Sequence, residues 1–285
     1  MVTLLVHGGA WDIPDSEWTA HQQGCRAAYE HARCLLESGA SAVEAAVAAV
    51  RLMEDDPTFD AGYGSFLTAD GRVELDACVM RGSDLAAGGV MGVSRLRNPV
   101  LVARAIMERS PYLLFAGAGA EAWARTQGFE LVPEEALVHP REGARWEAYQ
   151  TGRLNPDEAF GMRDTVGAVA RDAGGHFAVA TSTGGNPYKP PGRVGDCPLP
   201  GCGAYADDEA GAAAVTGHGE PSIRMTLARH TVDLMRAGLT ASEATRQAVG
   251  EAHRRLGARL GIIAIDRDGG AGWFHTTPRL ALWGP

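Results

Sequence analysis

The 285-residue chain reads as an α+β protein in which sheets are covered by helices on their outer faces. Three observations predict this. Strand-like runs come as tight pairs: 165–171 with 176–182 across Asp172-Ala173-Gly174-Gly175, and 262–266 with 271–275 across Arg267-Asp268-Gly269-Gly270, both hairpin signals. Helical stretches also come in pairs, and one phrase occurs twice: Leu35-Leu36-Glu37-Ser38-Gly39-Ala40-Ser41-Ala42-Val43-Glu44 echoes Leu234-Met235-Arg236-Ala237-Gly238-Leu239-Thr240-Ala241-Ser242-Glu243. Each is a helix, a glycine stop and the capping-box start of a second helix. Finally, strands and helices alternate in blocks rather than one by one. The repeat is too widely spaced for a solenoid, so both helix pairs belong to a single domain, 1–285.

Taken in order, residues 2–6 form a short apolar strand running into His7-Gly8-Gly9-Ala10. That glycine pair suits either a turn or a loop lining a site. Lipase-like hydrolases use such a segment for oxyanion amides, but they also need a G-x-S-x-G elbow, which is absent here. Residues 16–38 are helical, Gly39 stops them, and a capped helix follows over 42–53. Pro57 to Gly64 is a glycine-bearing loop. Strands are expected over 73–79 and 88–94, a helix over 99–107 with Pro99 in its first turn, and a further helical stretch over 110–126. Residues 133–164 are polar, carry Pro133, Pro140 and Pro156, and show no apolar period, which predicts a linker. Beyond the first hairpin come a strand over 212–216 and helices over 221–237 and 240–257.

Composition narrows the function. The hydrophobic share is 45% and the charged share 21%, ordinary for a globular chain. Lys and Arg number 26 against 35 Asp and Glu, a net charge of −9 with no basic run, which argues against nucleic acid. No apolar run approaches the roughly 18 residues of a membrane helix. The N-terminus has no basic segment or cleavage pattern and reads as a strand. Five cysteines (Cys25, Cys34, Cys78, Cys197, Cys202) at unrelated spacings suggest reduced thiols in a cytoplasm. Cys197 and Cys202 alone are a poor case for zinc.

The densest chemistry lies between Asp164 and Glu220. Thr165 opens a strand directly after the polar segment. An internal threonine has no base, but as a new N-terminus it would gain an α-amine with a pKa of roughly 7.7–8.0, the Thr–N-terminus nucleophile pair. Taken alone, Thr165 is a structural residue at a strand start. Arg193 and Asp196, three apart, taken alone read as a surface ion pair worth roughly 0–1 kcal/mol. Gly184 to Lys189 lacks the G-K-[ST] ending of a phosphate loop.

Together, however, Asp164-Thr165-Val166-Gly167-Ala168-Val169, Thr181-Ser182-Thr183-Gly184-Gly185, Gly192-Arg193-Val194-Gly195-Asp196 and Thr216-Gly217-His218-Gly219-Glu220 resemble the type 2 (plant-type) L-asparaginase and isoaspartyl peptidase family of N-terminal nucleophile hydrolases. The resemblance extends to 7–10, 73–77 and 98–101. It implies a four-layer αββα sandwich, made as one precursor and cut between Asp164 and Thr165 into chains 1–164 and 165–285. It implies Thr165 as nucleophile, Thr183 assisting it, and Thr216 with the Gly217 amide as oxyanion hole. Arg193 would hold the substrate α-carboxylate, and Asp196, beside Gly219, the α-ammonium. The substrates implied are L-asparagine and β-aspartyl dipeptides. No cofactor is expected beyond a structural Na+ or K+ on the backbone carbonyls of the loop Pro57 to Gly64, and two processed units are expected to pair as a homodimer.

Some positions depart from the family pattern. Asp60 stands where Asn is usual, and Tyr188 replaces a common Asn. The stretch 203–213 is similar to the glycosylasparaginases, whereas Gly185 is not. A glycosylasparaginase and an unprocessed binding homologue are the alternatives.

Overall fold

The computed structural model describes residues 2–154 and 164–285. Its centre is a pair of facing sheets. The larger has seven strands in the order β11-β1-β5-β6-β2-β3-β4: β1 is Thr3–Gly8, β2 Leu75–Arg81, β3 Ala87–Val93, β4 Leu114–Ala116, β5 Val166–Arg171, β6 Phe177–Thr183 and β11 Leu282–Trp283. The smaller has four, β10-β9-β8-β7: β7 is Ala204–Asp207, β8 Gly211–Gly217, β9 Leu260–Asp266 and β10 Ala271–His275.

Side chains of a strand alternate between its faces, and this alternation builds the layers. In the larger sheet Leu4, Val6, Ala77, Val79, Ala168, Ala170, Ala178 and Ala180 join a core shared with helices. Their neighbours Leu5, Cys78, Met80, Val169, Phe177 and Val179 join the core of the smaller sheet instead. Both faces of the larger sheet are therefore dry. Helices α1 (Asp15–Glu37), α2 (Ala42–Asp55) and α3 (Pro99–Arg109) cover its outer face, and α7 (Leu227–Arg236) and α8 (Ala241–Leu256) cover the outer face of the smaller sheet. The result is an αββα stack.

The repeated phrase has a physical counterpart. Both capping boxes form, Ser41 with Glu44 and Thr240 with Glu243. Each helix start is also tied to the hairpin beneath it. The Ala42 amide donates to Asp172 Oδ2 at 3.1 Å, and the Ala241 amide to Asp266 Oδ2 at 3.0 Å. Each hairpin aspartate thus satisfies one otherwise orphaned helix N-terminal amide.

Three expectations are corrected. Residues 110–126 are not helical throughout: β4 runs parallel to β3, and helix α4 starts only at Gly117 (Gly117–Thr126). Residues 221–237 form two helices, α6 (Gly219–Met225) and α7, broken at Thr226, whose φ is +46°. The break follows from competition for hydrogen bonds, because the first amides of α7, on Ala228 and Arg229, donate to the carbonyls of Cys202 and Gly201. The expected linker contains helix α5, Pro140–Gln150. Polar and aromatic contacts hold α5, not an apolar stripe: Arg141 Nη2 donates to the Pro57 carbonyl at 2.6 Å, Trp146 Nε1 to the Ala69 carbonyl at 3.3 Å, and Tyr149 stacks on Tyr188 at 3.9 Å. The rest of that segment, 155–163, lies outside the described residues.

Phe177 is fully buried between the sheets. Phe177→Ala is expected to lower unfolding free energy by about 3–5 kcal/mol, read as a lower denaturant midpoint at unchanged slope.

Candidate active site

The pairing of β5 with β6 begins the site. Val166 lies opposite Ser182, so Thr165, one residue earlier, stands beside Thr183 at the strand ends. Strand β8 of the other sheet brings Thr216 and Gly217 to the same end. The loop between β6 and β7 folds over with Asn186, Arg193, Gly195 and Asp196, and these line a small open cleft with Asp164, Thr165, Thr183, Gly185, Gly217 and Gly219.

At its floor lies the Asp164–Thr165 peptide. Thr165 Oγ1 donates to the Asp164 carbonyl oxygen at 2.8 Å, and Thr183 Oγ1 donates to the same oxygen at 2.9 Å. The Gly185 amide donates to Thr183 Oγ1 at 2.9 Å, which leaves the Thr183 proton free to point at that carbonyl. Two hydroxyls thus polarise one peptide bond, and one of them belongs to the residue that follows it. Asp60 Oδ2 stands 3.4 Å from Thr183 Oγ1. Burial pushes the Asp60 carboxyl well above the usual carboxylate range, against a short bond from the Phe66 amide.

The Asp164 side chain is buried too. Oδ2 receives the Asp60 amide at 3.4 Å and lies 3.6 Å from His21 Nε2. Gly9 makes room for the carboxyl: its φ is +99°, and a Cβ there would overlap Asp164 Oδ1. His7 and Gly8 thus end strand β1, and Gly9 just beyond it borders the site, so of the two sequence readings the site-bordering one holds, with strand in place of loop for the first two residues.

Arg193 and Asp196 do not form the surface ion pair their spacing allows. Asp196 is buried and held by burial, against the hydroxyl of Ser222, up to about 6. Arg193 instead donates from Nε and Nη2 to Glu220 Oε1, at 3.1 and 2.7 Å. Gly219 lies between them: a Cβ on it would sit 3.0 Å from Asp196 Oδ1 and 3.1 Å from Arg193 Nη2. A bare backbone surface thus carries a guanidinium on one side and a carboxyl on the other. A free α-carboxylate and α-ammonium on one carbon match that spacing of charge.

Thr216 is 1% exposed, and among the described residues its Oγ1 has no hydrogen-bond partner. A buried hydroxyl without a partner costs free energy unless something else satisfies it. Gly217 has a φ of +112°, a conformation a larger residue would strain to adopt. Sequence reasoning missed Asn186, a wall of the cleft, and His21. Neither sits in a recognisable motif, and His21 reaches the site only because α1 packs against the loop of Phe59 and Asp60.

Beneath the site lies His7, paired with Gly167 across β1 and β5, with its ring filling the space a Gly167 Cβ would need. Burial, only partly offset by the nearby Thr165 main chain, pushes His7 down to about 3.

Comparison with known proteins gives a consistent picture. A family model described as Asparaginase matches residues 1–283. The chain is 42% identical over 267 residues to the isoaspartyl peptidase/L-asparaginase of Danio rerio, covering 93% of this chain and 86% of that protein. It is 41% identical over 298 residues to the isoaspartyl peptidase of Escherichia coli K12, covering 99% and 92%. It is 39% identical over 279 residues to the human isoaspartyl peptidase/L-asparaginase, covering 96% and 90%.

His7 generates a test. It stays neutral in the fold but takes up a proton near pH 6.5 when unfolded, so stability falls as pH drops from about 6.5 towards 3. His7→Gln is expected to flatten that part of the stability–pH curve in denaturant titrations.

Proposed function

The chain belongs to the asparaginase family, and from that membership we propose that it is an autoprocessing amidohydrolase releasing L-aspartate from L-asparagine and β-aspartyl dipeptides. The observation that carries the reading is the bare Gly219 surface between Arg193 and Asp196, set beside the Thr165 hydroxyl. It fits the amino-acid end of a substrate whose reacting amide lies on its side chain.

Processing comes first. The Thr165 hydroxyl attacks the Asp164 carbonyl carbon, the peptide nitrogen departs as the Thr165 α-amine, and water hydrolyses the resulting ester. This leaves chains 1–164 and 165–285. The new amine, with a pKa of roughly 7.7–8.0, is partly neutral at pH 7 and serves as the base for its own hydroxyl. In turnover that hydroxyl attacks the side-chain carbonyl carbon of the substrate. Thr183 orients it, while the Thr216 hydroxyl and the Gly217 amide take the developing oxyanion. One such donor is worth about 2.7–4 kcal/mol in the transition state. The proton goes to the leaving amine, and water then releases aspartate from Thr165.

A monovalent cation fits the loop from Pro57 to Gly64. Among the described residues no hydrogen bond reaches the carbonyls of Phe59, Ala61 or Tyr63, and hard oxygen donors of this kind suit an alkali ion. Bound there, it would brace the loop carrying Asp60. We further read the working unit as a homodimer, supported by the exposed apolar Tyr112, Leu113 and Leu114 beside edge strand β4. We place it in a cytoplasm on the strength of its five free cysteines.

Thr165→Ala is expected to stay whole and release no aspartate; a cut Thr165→Ala chain contradicts the reading. Arg193→Ala is expected to be cut normally but to show a KM raised at least about a hundredfold, the loss of a charge-assisted pair. Asp196 holds an ammonium only when ionised, so KM in the wild type is expected to climb as pH falls through about 6. Steady-state kinetics between pH 5 and 8 reads this, and Asp196→Asn should be weak and flat across the range.

A further inference from the structure

His21 is buried on α1 and has no place in the turnover chemistry above. Its ring is wedged edge-on against Trp11 and Phe59, with centroids 6.1 and 5.4 Å away, so it has little freedom to turn. Its Nδ1 lies 3.0 Å from the Glu17 carbonyl oxygen, which can only accept. Nδ1 therefore carries a proton, and Nε2 is the nitrogen that titrates. Nε2 faces Asp164 Oδ2 at 3.6 Å, with side-chain exposures of 1% and 2%. If Nε2 lost its proton, its lone pair would face a buried carboxylate, and a buried charge without a counter-charge is strongly destabilising.

We propose that His21 is a positioning residue for self-cleavage: its imidazolium pins the Asp164 carboxylate and so holds the Asp164 carbonyl under the hydroxyls of Thr165 and Thr183. The inference rests on the self-cleavage reading above. The proton sits on Nε2 and points at Asp164 Oδ2, and no covalent step passes through His21. The Asp60 amide and the hollow over Gly9 complete the grip on the carboxylate. Cleavage needs the carbonyl held within reach of the nucleophile, and loosening such a contact by about 1 Å can cost on the order of a hundredfold in rate.

The charged and titratable groups around His21 are few. Asp164 faces it directly. Glu17 lies a turn earlier on α1, with its carboxylate paired to Arg145 of α5 at 2.8 Å, and Cys25 lies a turn later. Asp56 and Asp60 belong to the loop after α2. Burial of the ring opposes its charge, but Asp164 and Glu17 outweigh burial and hold His21 above its ordinary 6.5. A histidine raised in this way keeps its pair below about 6.5 and loses it as pH rises through the folded value.

The test follows self-cleavage of freshly made full-length chain by denaturing gel between about pH 6 and 8, in wild type, His21→Gln and His21→Leu. Gln keeps an N–H donor at the Nε2 position but does not titrate; Leu keeps bulk but donates nothing. At pH 6, His21→Leu is expected to cut at least about tenfold more slowly than wild type, and His21→Gln within about threefold of it. The ratio of wild-type to His21→Gln rates should fall as pH rises. Thermal melting in a Thr165→Ala background confirms that each variant folds. Equal rates in wild type and His21→Leu, or a ratio to His21→Gln that does not change with pH, would overturn the role of His21 alone. A wild type that stays whole at every pH would overturn the self-cleavage reading and this inference with it. An unfolded His21→Leu leaves the decision to the His21→Gln pH ratio.

Discussion

Two hydroxyls on one carbonyl oxygen is the arrangement on which the rest depends. Thr165 and Thr183 converge on the Asp164 carbonyl because β5 and β6 pair with Val166 opposite Ser182. A slip of one residue between β5 and β6 would turn one hydroxyl away from the other, since side chains alternate with a period of two. The register is protected by burial: Ala168 and Ala180 belong to one core and Val169 and Val179 to the other, so a slip would swap side chains between two dry faces. The two-sided core of the larger sheet is thus what aims the chemistry.

Charge is distributed to match. The chain is acidic overall, yet in the cleft the Arg193 guanidinium and the Asp196 carboxyl stand on either side of the bare Gly219 backbone. Burial of Asp196 outweighs the Ser222 hydroxyl and the Arg193 charge and raises it; an incoming ammonium would offset that burial. Glu220 meanwhile occupies Arg193 from the solvent side. A substrate carboxylate therefore meets a guanidinium already oriented, and the side-chain entropy of Arg193 is largely spent before binding.

Much of this was legible in the sequence. The hairpins at Asp172–Gly175 and Arg267–Gly270, the two capping boxes and the helix pairs follow from local rules that need no tertiary context. The motifs around Thr165, Thr183, Arg193, Asp196 and Gly217 point to positions that the fold does bring together. What escaped were features set by distant partners. Helix α5 is held by Arg141, Trp146 and Tyr149 reaching other elements, and so shows no apolar period. The break at Thr226 is imposed by the carbonyls of Gly201 and Cys202. Strands β4, β7 and β11 are short and take their form from neighbouring strands. His21 lies 143 positions from Asp164 in the chain and beside it in space.

The central claim is that the Asp164–Thr165 bond is cut and Thr165 becomes a chain terminus. Denaturing mass spectrometry of purified protein, fresh and after storage at neutral pH, tests it most directly. The account predicts two fragments whose masses match 1–164 and 165–285, the second with a free N-terminal threonine. A single species that persists at 30.0 kDa would contradict it.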